Sequence, residues 1–106
     1  RGLGKGKRLL DERWFDDAMS PQIMQYAGTD PDEATQERFK EDDWAQGYGY
    51  QMWCCTRGAC RMDGAYGQMC VICPGKNSVI AFFAFSHDTK TLLDSCWKNI
   101  YDQIPE

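Results

Sequence analysis

A single histidine stands in the 106 residues, and that scarcity narrows the chemistry. A Ser-His-Asp or Cys-His arrangement would hang on His87 alone, at a strand-to-helix junction where a turn or cap role suits it. No apolar run is long enough to span a bilayer as a helix; the longest, 79–85, is strand-sized, and no signal peptide is expected in the stretch given. Excess positive charge is lacking too. The formal net charge is −4, with lysines and arginines scattered among carboxylates, so no basic stripe is available to a phosphate backbone. Nucleic acid and membrane are therefore not expected partners, and a cytoplasmic location is expected. Internal repeats and low-complexity segments are absent, and the length suits one domain, 1–106, with a single core.

Cysteine breaks the sparseness, with six residues. Cys54, Cys70, Cys73 and Cys96 sit among Met, Val, Ile and Trp, where a thiol behaves as a small hydrophobe, so reduced core cysteines are expected. Cys70 and Cys73 have C-x-x-C spacing, but a strand puts residues three apart on opposite faces and no second pair follows. No metal and no cofactor is expected. Cys54 and Cys55 face Cys60 across a hairpin, where oxidation in air remains open.

The stretch 47–86 is the centre of the chain. It reads as three antiparallel strands, with reversals at Thr56-Arg57-Gly58 and Pro74-Gly75-Lys76-Asn77 supplying glycine where a tight turn needs positive φ. Residues 48–55 alternate with large groups on both sides. Residues 62–68 read as a strand holding Gly64 and Gly67, which marks a bulge or a close approach to the backbone. Before the sheet, Asp11 caps a helix with Glu12 in its first turn, Leu10 set to staple onto Phe15, and a stripe of Trp14, Phe15, Ala18 and Met19 that Pro21 ends. From 21 to 43 the chain is a polar connection with a brief helical run near 33–39. Its acidic residues, Asp30, Asp32, Glu33, Glu41, Asp42 and Asp43, read as solvated. After the sheet Asp88 caps a second helix, with Leu92, Leu93, Cys96, Trp97, Ile100, Tyr101 and Ile104 at helical spacing. The expected fold is α+β: about three antiparallel strands with an N-terminal and a C-terminal helix on one face. Residues 79–85 are apolar on both sides, so the second face needs cover from another part of the protein or from a second copy.

Ser95-Cys96-Trp97-Lys98 spells Ser-x-x-Lys, yet on a helix Ser95 and Lys98 point away from the stripe through Leu93, Cys96 and Ile100. They face water without convergent donors, so the tetrad is rejected as a nucleophile and base.

Taken in order, the run Gly4-Lys5-Gly6-Lys7-Arg8-Leu9-Leu10 leads into a helix and then Met19-Ser20-Pro21-Gln22. Tyr48-Gly49-Tyr50-Gln51-Met52-Trp53 comes next, and then Asp63-Gly64-Ala65-Tyr66-Gly67-Gln68 with Pro74 and an apolar strand. Together they resemble the C-terminal portion of the serine β-lactamase-like hydrolases, the family of class C β-lactamases, penicillin-binding carboxypeptidases, related esterases and amidases. The resemblance runs from about Gly4 to Ile104. It implies part of a β-lactamase/transpeptidase-like fold and a chain that begins partway through a longer hydrolase. In that family a glycine-rich strand lines the active site, and a backbone N–H after a Lys-Thr-Gly-like triplet forms half of the oxyanion hole. By position, Met62-Asp63-Gly64 stands for the triplet and the N–H of Ala65 for the donor, with Arg61, Asp63, Gly64 and Tyr66 at the substrate. Lys or His is absent from the first place and Asp63 replaces the hydroxyl residue, so an ester or amide substrate other than a penicillin is equally open. The family's nucleophile helix and Tyr-x-Asn loop precede this segment. The chain is accordingly expected to be inactive alone and to partner the missing N-terminal part or itself. The alternative is a noncatalytic α+β module that binds a protein through its apolar sheet face.

Overall fold

The computed structural model describes residues 2–24, 36–37 and 40–106. A four-stranded antiparallel sheet runs in chain order through β3 (Trp53–Cys54), β4 (Cys60–Gly64), β5 (Gln68–Cys73) and β6 (Ser78–Phe82). Ahead of it come a two-stranded hairpin, β1 (Leu3–Gly4) with β2 (Lys7–Arg8), and helix α1 (Glu12–Ala18); helix α2 (Thr89–Asn99) follows it. The molecule is a small α+β fold. Both N-caps are the expected ones: Asp11 accepts from the Arg13 N–H at 2.8 Å, and Asp88 accepts from the Thr91 N–H at 3.1 Å and its hydroxyl at 2.7 Å. These bonds hold the exposed Asp88 carboxyl below the usual aspartate range.

The fourth strand arises because residues 62–68 are not one strand. β4 ends at Gly64, Ala65-Tyr66-Gly67 turn, and β5 begins at Gln68, with Gly64 opposite Gln68. Tyr66 has φ +67° and Gly67 φ +99°, the left-handed region a tight reversal demands. Gly67 also answers the question of close approach: a Cβ there would lie 2.4 Å from Cδ1 of Leu92 on α2. The strand expected over 48–55 is also broken. Tyr48 forms single bridges with Ile23 and Trp53, the Gly49 N–H donates to the Met52 carbonyl, and Gln51 turns at φ +60°. Gly49 is pressed so closely on the end of α1 that a Cβ would meet the Ala18 carbonyl at 2.0 Å. The expected reversals do form at 56–58, where Arg57 and Gly58 both have positive φ, and at 74–77, where Asn77 rather than Gly75 takes the left-handed conformation.

Register separates the two faces. Trp53, Arg61, Val71 and Ile80 are successive cross-strand partners on one side, and Cys54, Cys60, Ile72 and Val79 on the other. The core lies on the first side, where Met69, Val71, Cys73 and Ile80 pack with Leu93, Cys96 and Trp97 of α2. The second side receives α1: the thiols of Cys54 and Cys60 both point at the Met19 carbonyl. The helices thus cover opposite faces, correcting the expectation of one. α1 is short; its C-terminal end meets β3 and β4 at Met19, and its Phe15 lines a hollow with Ile72 of β5 and Val79 of β6, while of its expected stripe Ala18 is buried and Trp14 stays 47 % exposed. β6 stops at Phe82, and Val79, Phe83 and Phe85 remain exposed. Of the expected helical run near 33–39, Gln36 and Glu37 are helical and the remainder lies outside the described residues.

Leu93 is fully enclosed, and trimming it opens a cavity under β5. Leu93→Ala is expected to cost about 3 kcal/mol in urea unfolding with an unchanged m-value.

Candidate functional site

The candidate site begins with a buried cation. Arg61 follows Cys60 in β4, and strand alternation turns it inward beneath α2, where it is 1 % exposed. Its Nε donates to Asp63 Oδ2 at 3.1 Å, and its Nη1 donates to the Asp43 carbonyl at 2.9 Å and to Cys55 Sγ at 3.3 Å. Trp44 lies against the guanidinium, 4.2 Å from Cζ to the ring centroid. A charge removed from water requires such a shell of anion, acceptors and ring face, since desolvation otherwise outweighs what burial returns.

Asp43 carries a second set of bonds from the same loop. Its Oδ1 accepts from the Thr56 N–H at 2.9 Å and hydroxyl at 2.8 Å, and its Oδ2 accepts from Trp97 Nε1 at 2.8 Å. One carboxylate therefore joins the 43–46 segment, the turn after β3 and the middle of α2. No buried side-chain nitrogen or oxygen among the described residues lacks a partner. The expectation of a solvated acidic loop fails at this residue: Asp43 is 5 % exposed. Asp42 faces outward by comparison and caps the Trp44 N–H at 2.8 Å; Asp30, Asp32 and Glu33 lie outside the described residues. The one sequence signal for Asp43 was Trp97, whose indole N–H on a buried stripe must find an acceptor.

Above this hub the end of β4 opens on a concavity of about 340 Å³ lined by Trp44, Trp53, Arg61, Asp63, Gly64 and Ala65. Four of the five residues singled out from the sequence meet there. The fifth, Tyr66, stands at the turn with its ring against Phe85 and His87, each 5.2 Å away. Gly64 and Ala65 are exposed at the rim of this concavity, Gly64 paired with Gln68 at the end of the β4–β5 ladder. His87 is an exposed turn residue beside the Asp88 cap.

A larger hollow, about 470 Å³, lies between the 40–43 segment, Arg57 and α2. Lys98 lines it and Ser95 does not. Ser95 is exposed and accepts from Asn99 Nδ2 at 2.9 Å, so the Ser-x-x-Lys residues do not converge. Arg57 spans the rim, stacked 4.8 Å over Trp97.

All six cysteines are free thiols, five of them buried. Burial pushes Cys55 up to about 11 against the opposing pull of Arg61, and Cys60 up to about 12 with Cys54 and Cys55 adding to the effect. Both stay protonated near neutrality. No group of three or more His, Cys, Asp or Glu suited to a metal ion occurs among the described residues.

Asp63→Asn keeps the shape and removes the counter-charge of a buried guanidinium. It is expected to destabilise by about 3 kcal/mol in chemical unfolding, whereas Asp42→Asn, at a half-exposed cap, costs under about 1 kcal/mol. In comparisons with known proteins, no family model, no curated protein and no solved structure matches this chain.

Proposed function

We propose that this chain is the C-terminal segment of a β-lactamase-like serine hydrolase, supplying sheet strands, one wall of the cleft and one oxyanion-hole donor. The observation that carries the reading is the meeting of Arg61, Asp63, Gly64 and Ala65 at one concavity, with residues 64 and 65 exposed and the strand beneath them anchored. An oxyanion donor works by being held in place before charge develops, so that the reaction spends nothing on reorienting it. The Ala65 N–H sits where β4 gives way to a tight turn, next to a glycine that leaves room for a substrate carbonyl. Arg61 and Asp63 neutralise each other within the wall. That favours a neutral ester or amide over a substrate recognised by its carboxylate. Nucleophile and base belong, on this reading, to the preceding part of the parent protein.

The chain by itself is then expected to hydrolyse nitrocefin and p-nitrophenyl esters at the buffer rate, with Ser95→Ala no different. Turnover abolished by Ser95→Ala would reinstate the tetrad and sink the reading. In the full-length parent, Ala65→Pro deletes the donor and is expected to lower kcat about 10²–10³-fold, while Ala65→Gly keeps the N–H and the rate. Equal kcat in both variants would remove Ala65 from the oxyanion hole.

A second reading, a noncatalytic module that binds through its sheet, draws on the exposed Val79, Phe83 and Phe85, the last two 88 % and 82 % exposed. On the hydrolase reading the same apolar strip is where the N-terminal part packs. In the isolated chain it is expected to drive self-association, visible in sedimentation equilibrium as an apparent mass that rises with concentration. Phe83→Asp with Phe85→Asp should return the chain to monomer.

A further inference from the structure

We propose that Cys54 and Cys60 form a redox pair that closes an intramolecular disulfide between β3 and β4. They are direct cross-strand partners. The Cys54 N–H donates to the Gly47 carbonyl, away from β4, which makes the two a non-hydrogen-bonded pair. Cα atoms in that position stand about 4.5 Å apart with side chains side by side, inside the roughly 4.4–6.8 Å window of a disulfide. Both thiols converge on one acceptor: Cys54 Sγ donates to the Met19 carbonyl at 3.7 Å and Cys60 Sγ to the same oxygen at 3.4 Å. The remaining cysteines are arranged differently. Cys55 lies on the opposite face against Arg61, and Cys70 and Cys73 alternate across β5.

Cys54 and Cys60 are 5 % and 0 % exposed, which selects a small oxidant, and hydrogen peroxide meets that requirement. The Cys54 sulfur attacks the O–O bond, giving a sulfenic acid, and the departing hydroxide takes the thiol proton to become water. The Cys60 sulfur then attacks the Cys54 sulfur, the S–S bond forms as S–O breaks, and the second hydroxide leaves with the Cys60 proton as water. Two thiols lose two electrons and one peroxide becomes two waters. Cys54 is the first to react because the Cys60 thiol and the Arg61 charge partly offset the effect of its burial, while Cys60 is the most strongly suppressed thiolate of the group. Closing the bond removes both S–H donors from the Met19 carbonyl, so the attachment of α1 to the sheet follows the oxidation state.

The test treats the folded protein with hydrogen peroxide, alkylates remaining thiols under denaturing conditions and digests with trypsin, which cuts after Arg57 and Arg61 and so separates the two sulfurs. The expected product is the 58–61 peptide joined through Cys60 to Cys54 of the preceding peptide, released by dithiothreitol, with the other four cysteines alkylated. Fragmentation between Cys54 and Cys55 assigns the link without any variant, and Cys54→Ala should abolish it. The proposal is overturned if Cys60 is alkylated after treatment, if the link runs to Cys55 or persists in Cys54→Ala, or if only intermolecular disulfides form.

Discussion

The buried guanidinium of Arg61 is the constraint around which this small fold closes. A cation with almost no contact with water must be compensated where it sits, and the compensation comes from four groups on three parts of the chain: Asp63 on its own strand, the Cys55 sulfur, and the Asp43 carbonyl with the face of the adjacent Trp44. Asp43 extends the arrangement by accepting from Thr56 and Trp97. Loop, turn, strand and helix thereby share one polar network inside an otherwise apolar core. Networks of this kind tolerate little rearrangement, because each member displaced leaves another unsatisfied in a low-dielectric setting.

That rigidity is what gives the end of β4 its interest. Strand ends and hairpin turns are ordinarily among the looser parts of a fold. Here the run Asp63-Gly64-Ala65 rises directly from the anchored position, and α2 braces the turn from behind through Leu92 packed against Gly67. On the hydrolase reading proposed above, an exposed strand end on a fixed support suits presenting the Ala65 N–H to a reacting group. It suits induced fit poorly. The sheet shows the opposite character at its far edge, where β6 and the residues after it leave large apolar side chains in water, a surface suited to covering by further protein.

Much of the local structure was legible from residue order. Both helices begin at the aspartates that cap them, Thr56-Arg57-Gly58 turns where a glycine allows it, and the stripe through Leu93, Cys96 and Trp97 is the buried side of α2. The failures have a common origin. Residues 62–68 alternate well enough to pass for a strand, and nothing local says that Tyr66 accepts a left-handed conformation. That conformation is sustained by pairing of Gly64 with Gln68 and by Leu92 arriving from α2. The 48–55 run likewise appears continuous until Gly49 is pressed onto the end of α1. Asp43 looked like one more acid in an acidic segment.

Sequence by itself determined the α+β class, the two capped helices and the buried stripe through Leu93, Cys96 and Trp97, because these depend on propensity and on periodicity within a few residues, whereas Arg61 to Ala65 was marked by the family resemblance alone. Tertiary structure alone decided that the helices lie on opposite faces, that a fourth strand exists, and that Asp43 and Arg61 are buried and mutually supported. Those outcomes depend on which distant segments meet. The bonds that settle them join residues such as Asp43 and Trp97, 54 positions apart, and short-range pattern carries no information about such a pairing.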